Sequence, residues 1–177
     1  FPTRRSSDLA CSLQAADARG VTLAVRGKPA TVTVVIPAQP SPSQKHAAEE
    51  LCATLERQTG VRLPLTDDRG PLPAQAVLIG ETRHTSALLG PYAPVATLGE
   101  DGFRLVTRPP HVLILGGPAR GSLYGVYETL ERFGGCRWYA SWHSLTPPLD
   151  AFSIPELDET QQPAFAMREP FWFDFFD

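Results

Sequence analysis

A glycine-rich stretch offers the first candidate for chemistry, because it lies between a predicted strand and a predicted helix, where phosphate-binding loops occur. It reads Gly116-Gly117-Pro118-Ala119-Arg120-Gly121. The stretch matches neither G-x-G-x-x-G nor G-x-x-x-x-G-K-[ST], and it has no lysine to reach a phosphate. Glycines also allow a tight turn and a close approach of two backbones. The sequence therefore favours a structural role for this turn over phosphate binding.

Side chains that could bind a metal, transfer protons or act as nucleophiles are scattered along the chain. The adjacent carboxylates Asp67-Asp68 and Glu100-Asp101 lie in predicted loops, where neighbouring side chains point apart. The sequence has no G-x-S-x-G elbow, and Cys52 and Cys136 lack an obvious activating base. The four histidines are not spaced as zinc ligands are: His46, His84, His111 and His143. We therefore expect no catalytic residue, no cofactor and no metal site in this stretch.

Composition places the chain among ordinary globular proteins. Its 177 residues are 42% hydrophobic and 20% charged, which suits one folded domain with a tail. The net charge is -3 and no basic block occurs, so nucleic acid is not an expected partner. No apolar run approaches the roughly 20 residues that cross a bilayer, so we expect no membrane span.

Two helices are expected to carry most of the core-facing residues. Apolar residues recur at helical spacing over 42–59, with Ser41 or Ser43 as the cap, and again over 120–133 before two glycines. A short helical turn is expected within 82–89.

Short apolar runs predict six or seven strands around these helices. Four of these strands are expected to form two pairs, and three further strands stand alone. The pair nearer the start of the chain is expected to be a hairpin or two paired edge strands, and the later pair is expected to be a hairpin. The pairs are 21–25 with 32–36 and 102–107 with 111–115, and the single strands are 63–65, 76–79 and 136–139. The prediction is an α/β (α+β) fold: a two-layer mixed sheet with two main helices on one face.

The two ends of the chain differ from its centre. Residues 1–18 combine a polar nonamer that resembles an adapter scar with Ala16-Asp17-Ala18, which fits a signal-peptidase site. The alternative is a disordered leader of small residues; the signal interpretation predicts a secreted or periplasmic protein. Residues 146–164 are expected to be a Pro-rich linker, and 165–177, rich in aromatic residues, the start of a truncated second domain. Alternatively these aromatic residues fold back onto the first domain.

Residues 112–139 resemble the end of a non-catalytic domain found in glycoside hydrolases. The motifs are Gly116-Gly117, Arg120-Gly121, Tyr124-Gly125-Val126-Tyr127 and Gly135-Cys136-Arg137-Trp138-Tyr139. They are similar to the domain that precedes the catalytic barrel in family 67 α-glucuronidases and family 20 β-hexosaminidases. The first helix and the run 77–82 extend the resemblance, so that it covers about 21–165.

The resemblance implies an accessory domain of a bacterial carbohydrate-active glycoside hydrolase. Its carbohydrate substrate would bind to the missing barrel, where family 20 enzymes hold their catalytic Asp-Glu pair. The alternative function is a stand-alone module that binds carbohydrate or another partner without catalysis.

One residue is a substrate-binding candidate through the same resemblance. Family 20 enzymes place an arginine that contacts sugar hydroxyls at the end of the first barrel strand, and Arg168 stands at the corresponding place. That arginine is followed by glycine in the family but by Glu169 here. A structural arginine in an ion pair is therefore an equally tenable interpretation.

Overall fold

The computed structural model describes residues 20–91, 95–140 and 142–164. These described residues form ten strands, three α-helices and a 3-10 turn at Val95–Leu98. The elements in order are β1 (Val21–Val25), β2 (Thr33–Ile36), α1 (Pro42–Thr59), β3 (Leu65–Asp67), β4 (Ala76–Ile79), α2 (Thr85–Leu89), β5 (Phe103–Arg108), β6 (His111–Gly116), α3 (Gly121–Gly134), β7 (Arg137–Ala140), β8 (His143–Leu145), β9 (Ala151–Ile154) and β10 (Asp158–Gln161). Within the described part of the chain, no helix has the length and apolar character needed to span a membrane.

A six-stranded mixed sheet forms the centre of the domain, in the order β10-β5-β6-β4-β2-β3. Four strands run parallel to one another: β3, β2, β4 and β6. Beyond β6, β5 pairs antiparallel with β6, and β10 pairs antiparallel with β5. The hairpin predicted around Pro109-Pro110 is confirmed, because β5 and β6 pair along their whole length. Two further ribbons, β1 with β9 and β7 with β8, lie outside this sheet.

Helix α1 begins and ends as its sequence predicts. The Ser41 hydroxyl accepts from the Gln44 backbone N–H at 3.2 Å, and the Gln44 side chain accepts from the Ser41 N–H at 2.9 Å. This capping box satisfies two N–H groups that helix geometry leaves without partners. Gly60 adopts φ 76° and ends the helix in the left-handed conformation that glycine tolerates best.

Both long helices pack on the same face of the sheet, which confirms the predicted architecture. Their buried residues join one cluster with sheet residues such as Val34, Val77 and Ile114, and with the β1–β9 ribbon, which contacts both helices. Gly125 lets α3 lie close to the sheet, since a Cβ there would stand 2.6 Å from Ile114 Cγ2. The opposite face of the sheet holds a smaller cluster that includes Val35, covered in part by α2 and the 3-10 turn.

The predicted pairing of 21–25 with 32–36 is wrong. β2 lies inside the sheet, with β3 on one side and β4 on the other, so neither of its edges is open to β1. β1 pairs instead with β9, which is contributed by a distant part of the chain. The predicted strand at 63–65 lies two residues further on, at Leu65–Asp67.

The segment predicted as a Pro-rich linker, 146–164, differs most from expectation. It supplies β9, which pairs with β1, and β10, which extends the central sheet beside β5. Phe152 and Ile154 are fully buried. The prolines of this segment stand outside these two strands, so they shape turns without removing ladder hydrogen bonds. The segments 1–18 and 165–177 lie outside the described residues.

Candidate functional site

The turn between β6 and α3 is built from glycines because backbones meet there. A Cβ on Gly116 would clash with the Ser122 nitrogen, and one on Gly117 would clash with the Gly99 oxygen. A Cβ on Gly121 would clash with the Gly102 oxygen. Gly117 and Gly121 therefore allow this turn to pack directly against the loop that precedes β5, and Gly116 allows the end of β6 to approach the start of α3.

Three backbone N–H groups of this turn are bonded within the protein. Gly117 donates to the Gly102 oxygen at 2.8 Å, and Ala119 and Arg120 both donate to the Glu100 oxygen at 3.2 Å. A phosphate-binding turn must direct such N–H groups at its ligand. These bonds and the close backbone contacts at the glycines support the structural interpretation of the glycine-rich stretch.

The acidic pair beside this turn also holds the loop in place. The Asp101 carboxylate accepts two hydrogen bonds from Arg120 in a bidentate arrangement, with Nε at 3.0 Å from one carboxylate oxygen and Nη2 at 2.9 Å from the other. The same guanidinium lies 5.6 Å from the centre of the Tyr124 ring. Hydrogen bonding to Asp101 raises the pKa of Arg120 above its usual value. Asp101 thus fixes the start of α3.

The other acidic pair has a comparable structural role. Asp68 is buried and accepts from the backbone N–H of Ala38 at 2.9 Å and of Arg83 at 2.8 Å. Asp67 accepts from the backbone N–H of Arg69 at 3.0 Å. Each pair is thus tied to its own loops, and neither offers two carboxyl groups across one substrate bond.

The four histidines occupy separate places. His46 is exposed on α1, His84 precedes α2 and His143 stacks on the Tyr139 ring, with ring centres 5.4 Å apart. His111 is largely buried at the start of β6, and burial lowers its pKa. Among the described residues, no three His, Cys, Asp or Glu side chains group as metal ligands would.

The cysteines are poor nucleophiles here. Burial raises the pKa of the half-buried Cys52 thiol to about 11, and it also raises the pKa of the buried Cys136. Since the thiolate is the reactive form, neither side chain is activated for attack.

The most distinctive exposed feature lies on α3 and the β7–β8 ribbon. We call it the aromatic surface, and it consists of Tyr124, Tyr127, Trp138 and Tyr139, with Glu131 and Arg137 beside them. Trp138 is 38% exposed and Tyr139 65% exposed. The Tyr127 ring meets the Trp138 ring edge to face, with ring centres 4.7 Å apart. Exposed apolar patches of this kind mark interaction sites.

Sequence reasoning missed that β7 and β8 form an exposed ribbon that also carries Trp142, which is 87% exposed. The signal was present, because aromatic residues recur through 137–145 without a helical period. Arg168, the predicted substrate-binding residue, lies outside the described residues.

Comparison with known proteins identifies relatives of this fold. A family model described as "Glycosyl hydrolase family 67 N-terminus" matches residues 22–129. "Alpha-glucuronidase A" of Emericella nidulans is 38% identical over 89 residues, which are 49% of this chain and 10% of that protein. The chain thus spans about a tenth of this curated relative.

Solved structures share the fold at low sequence identity. The family GH115 4-O-methyl-alpha-glucuronidase BtGH115A matches with a TM-score of 0.55 at 15% identity, over 80% of this chain and 18% of that one. The GH20 beta-N-acetylhexosaminidase from Streptomyces coelicolor A3(2) matches with a TM-score of 0.53 at 18% identity, over 85% of this chain and 25% of that one. In each case the matched domain is a minor part of the larger protein.

Proposed function

This chain belongs to the family of glycosyl hydrolase family 67 N-terminal domains, and on that basis we propose that it serves as the accessory domain of a carbohydrate-active enzyme. The proposed activity of the longer protein is hydrolysis of glycosidic bonds to glucuronic acid. The match to the family 67 model over 22–129 carries this proposal. The identity to an α-glucuronidase favours glucuronic acid over an N-acetylhexosamine.

The chemistry of the described residues supports an accessory role rather than a catalytic one. Glycoside hydrolysis uses two carboxyl groups held several ångströms apart on either side of the scissile bond. Asp101 and Asp68 are instead engaged by Arg120 and by backbone N–H groups. We propose that the catalytic carboxylates belong to a barrel elsewhere in the longer protein.

Activity measurements test this proposal directly. The present chain and a longer protein that contains it are assayed side by side on 4-nitrophenyl glucuronide, on glucuronic-acid-substituted xylan oligosaccharides and on 4-nitrophenyl N-acetylhexosaminide. We expect turnover of a glucuronide by the longer protein and none by the present chain. Turnover by the present chain, or cleavage of the hexosaminide alone by the longer protein, would contradict the proposal.

A second candidate function, a module that binds carbohydrate without catalysis, is favoured by the exposed rings of the aromatic surface. Isothermal titration of the present chain with xylan and chitin oligosaccharides distinguishes the two functions. Saturable heat that disappears in Trp138→Ala but persists in Leu65→Ala, which changes an exposed residue on the edge strand β3, would support the module.

Two further parts of the proposal concern residues outside the described ones. We propose Arg168 as a sugar-binding residue, and the test is a rise in KM of the longer protein on Arg168→Ala, with Arg168→Lys as the partial control. We also propose a secreted or periplasmic location, supported by Ala16-Asp17-Ala18. Fractionation of the source cells tests it, and activity confined to the cytoplasm would contradict it.

A further inference from the structure

We propose that the aromatic surface is the docking site for the segment of this same chain that follows residue 164, namely residues 165–177. This inference concerns an intramolecular contact and does not depend on the proposed enzymatic activity. It rests on where the described chain ends, on which groups of the aromatic surface are already bonded, and on the composition of the segment.

The end of the described chain is anchored over α3, the helix that carries two tyrosines of the aromatic surface. The Gln161 side chain donates to the Glu128 carboxylate at 3.2 Å, and Glu128 lies next to Tyr127 on that helix. The Gln162 side chain donates to the Thr97 backbone oxygen at 2.8 Å. These bonds fix the direction in which the chain leaves the domain.

The exit point and the aromatic surface are adjacent. Pro163 and Gln162 line a hollow together with Phe103 and Tyr124, and Tyr124 is also part of the aromatic surface. An extended chain advances about 3.3 Å per residue, so a few residues after 164 suffice to reach the neighbouring rings.

The two charged groups of the aromatic surface, Arg137 and Glu131, are engaged with each other and with backbone oxygens. Arg137 donates through Nη1 to the backbone oxygens of Glu131 at 3.0 Å and Cys136 at 2.7 Å, and it lies 3.5 Å from the Glu131 carboxylate. Ligand pockets need well-placed polar groups to orient a polar ligand. With Arg137 and Glu131 engaged in this way, the four aromatic rings supply most of the contact area for a partner, and an apolar peptide can cover such rings.

The segment 165–177 has the composition that such a surface requires. Five of its last seven residues are aromatic: Phe171, Trp172, Phe173, Phe175 and Phe176. Aromatic side chains each bury about 150–250 Å², and ring pairs add edge-to-face contacts. Docking would therefore shield the rings of the aromatic surface and the aromatic side chains of the segment from water together.

Tryptophan fluorescence of the intact chain tests the contact. The reporter protein retains Trp138 alone, with Trp142→Phe and Trp172→Phe, and is compared with the same protein carrying Phe171→Ser, Phe173→Ser, Phe175→Ser and Phe176→Ser. We expect the serine changes to shift the Trp138 emission to longer wavelength and to raise its quenching by acrylamide. A matched reporter that retains Trp142 alone, 87% exposed at the ribbon tip, should change little.

Three outcomes would overturn the proposal. Trp138 quenching that the serine changes leave unaltered would show that the segment does not cover it. Quenching that depends on protein concentration would assign the aromatic surface to a second copy of the chain. Protection of Trp138 by xylan oligosaccharides, equal with and without the serine changes, would assign it to a saccharide.

Hydrogen exchange provides a measurement that leaves all three tryptophans in place. The serine changes should speed amide exchange in β7, Arg137–Ala140, and leave exchange in β4, Ala76–Ile79, unchanged. Unchanged exchange in β7 would count against docking, and faster exchange in β4 would show that the variant is globally destabilised. In that case the comparison is repeated with Phe171→Ser alone, where faster exchange confined to β7 is required.

Discussion

Replacement of Phe152 by alanine tests whether the segment after residue 145 is part of the domain's core. Phe152 lies on β9, is fully buried and belongs to the cluster that unites both long helices with the sheet. Its ring edge packs on α3, since a Cβ on Gly134 would stand 2.9 Å from the Phe152 Cε2 atom. If the segment were a linker, this substitution would be neutral.

The expected loss follows from the buried area. A phenylalanine side chain hides about 150–250 Å², which at about 25 cal/mol per Å² corresponds to roughly 4–6 kcal/mol as an upper limit. Measured Phe-to-Ala changes in cores cost about 3–5 kcal/mol. For a chain of this size, each kcal/mol lowers the thermal midpoint by about 2–4 °C, so we expect a fall of roughly 10 °C.

Calorimetry or circular dichroism of the intact chain measures this fall. Ser153→Ala on the same strand is the control, because it removes only an exposed hydrogen bond to Thr22, worth about 1 kcal/mol or less. A fall in the midpoint no larger for Phe152→Ala than for Ser153→Ala would refute the assignment of β9 to the core.

Three further predictions concern the turn, the sheet edge and the cysteines. Gly121→Ala should lower the free energy of unfolding measured in urea by about 1–3 kcal/mol or more, because its Cβ would clash with the Gly102 backbone oxygen. Gly70→Ala, with open space around it, should leave this free energy nearly unchanged. Hydrogen bonds from Arg104 lower the pKa of Asp158 in the folded protein. The ionised Asp158 therefore stabilises the fold above about pH 4, the pKa of an aspartate in the unfolded chain, and this contribution is lost as the pH falls through the lower pKa of the folded state. Acid titration of the thermal midpoint should therefore show a smaller acid loss in Asp158→Asn than in the parent, and equal losses would contradict the prediction. The pKa of Cys52 is raised to about 11, so at pH 8 this thiol should react with iodoacetamide about a hundredfold more slowly in the folded chain than in the urea-unfolded chain. Peptide mapping by mass spectrometry measures the two rates, and equal rates would contradict the burial of Cys52.

Local signals predicted the helices well because the causes are local. Ser41, the spacing of Leu51 and Leu55, and Gly60 all lie within one stretch of chain and act through helix geometry alone. The β5–β6 hairpin was also predictable, since its two strands are separated by a short turn. Strand partners were harder to predict, because the hydrophobic pattern of a strand indicates which of its residues are buried but not which strand it pairs with.

The distant pairings show what the sequence pattern lacked. β1 pairs with β9 across most of the domain, and proline density in 146–164 concealed the alternation of Phe152 and Ile154. Motif spacing in the sequence argued against phosphate-binding and zinc-binding patterns, and this stays a prediction from residue types alone. The aromatic surface depends on α3 and β7–β8 meeting in space, which residue types alone do not specify.

The polar contacts of the domain bear on where catalysis would take place in a longer protein. A carboxylate that accepts two backbone N–H bonds, as Asp68 does from Ala38 and Arg83, would lose acceptor capacity whenever it took up a proton. The same holds for Asp101, because protonation would weaken its paired bonds with Arg120 and release the start of α3. A proton-transfer cycle at either position would therefore disturb the loops that these carboxylates hold. Under the proposed function, such a domain would contribute to an enzyme through the surfaces it presents, and the proposed docking places the partner segment on the aromatic surface.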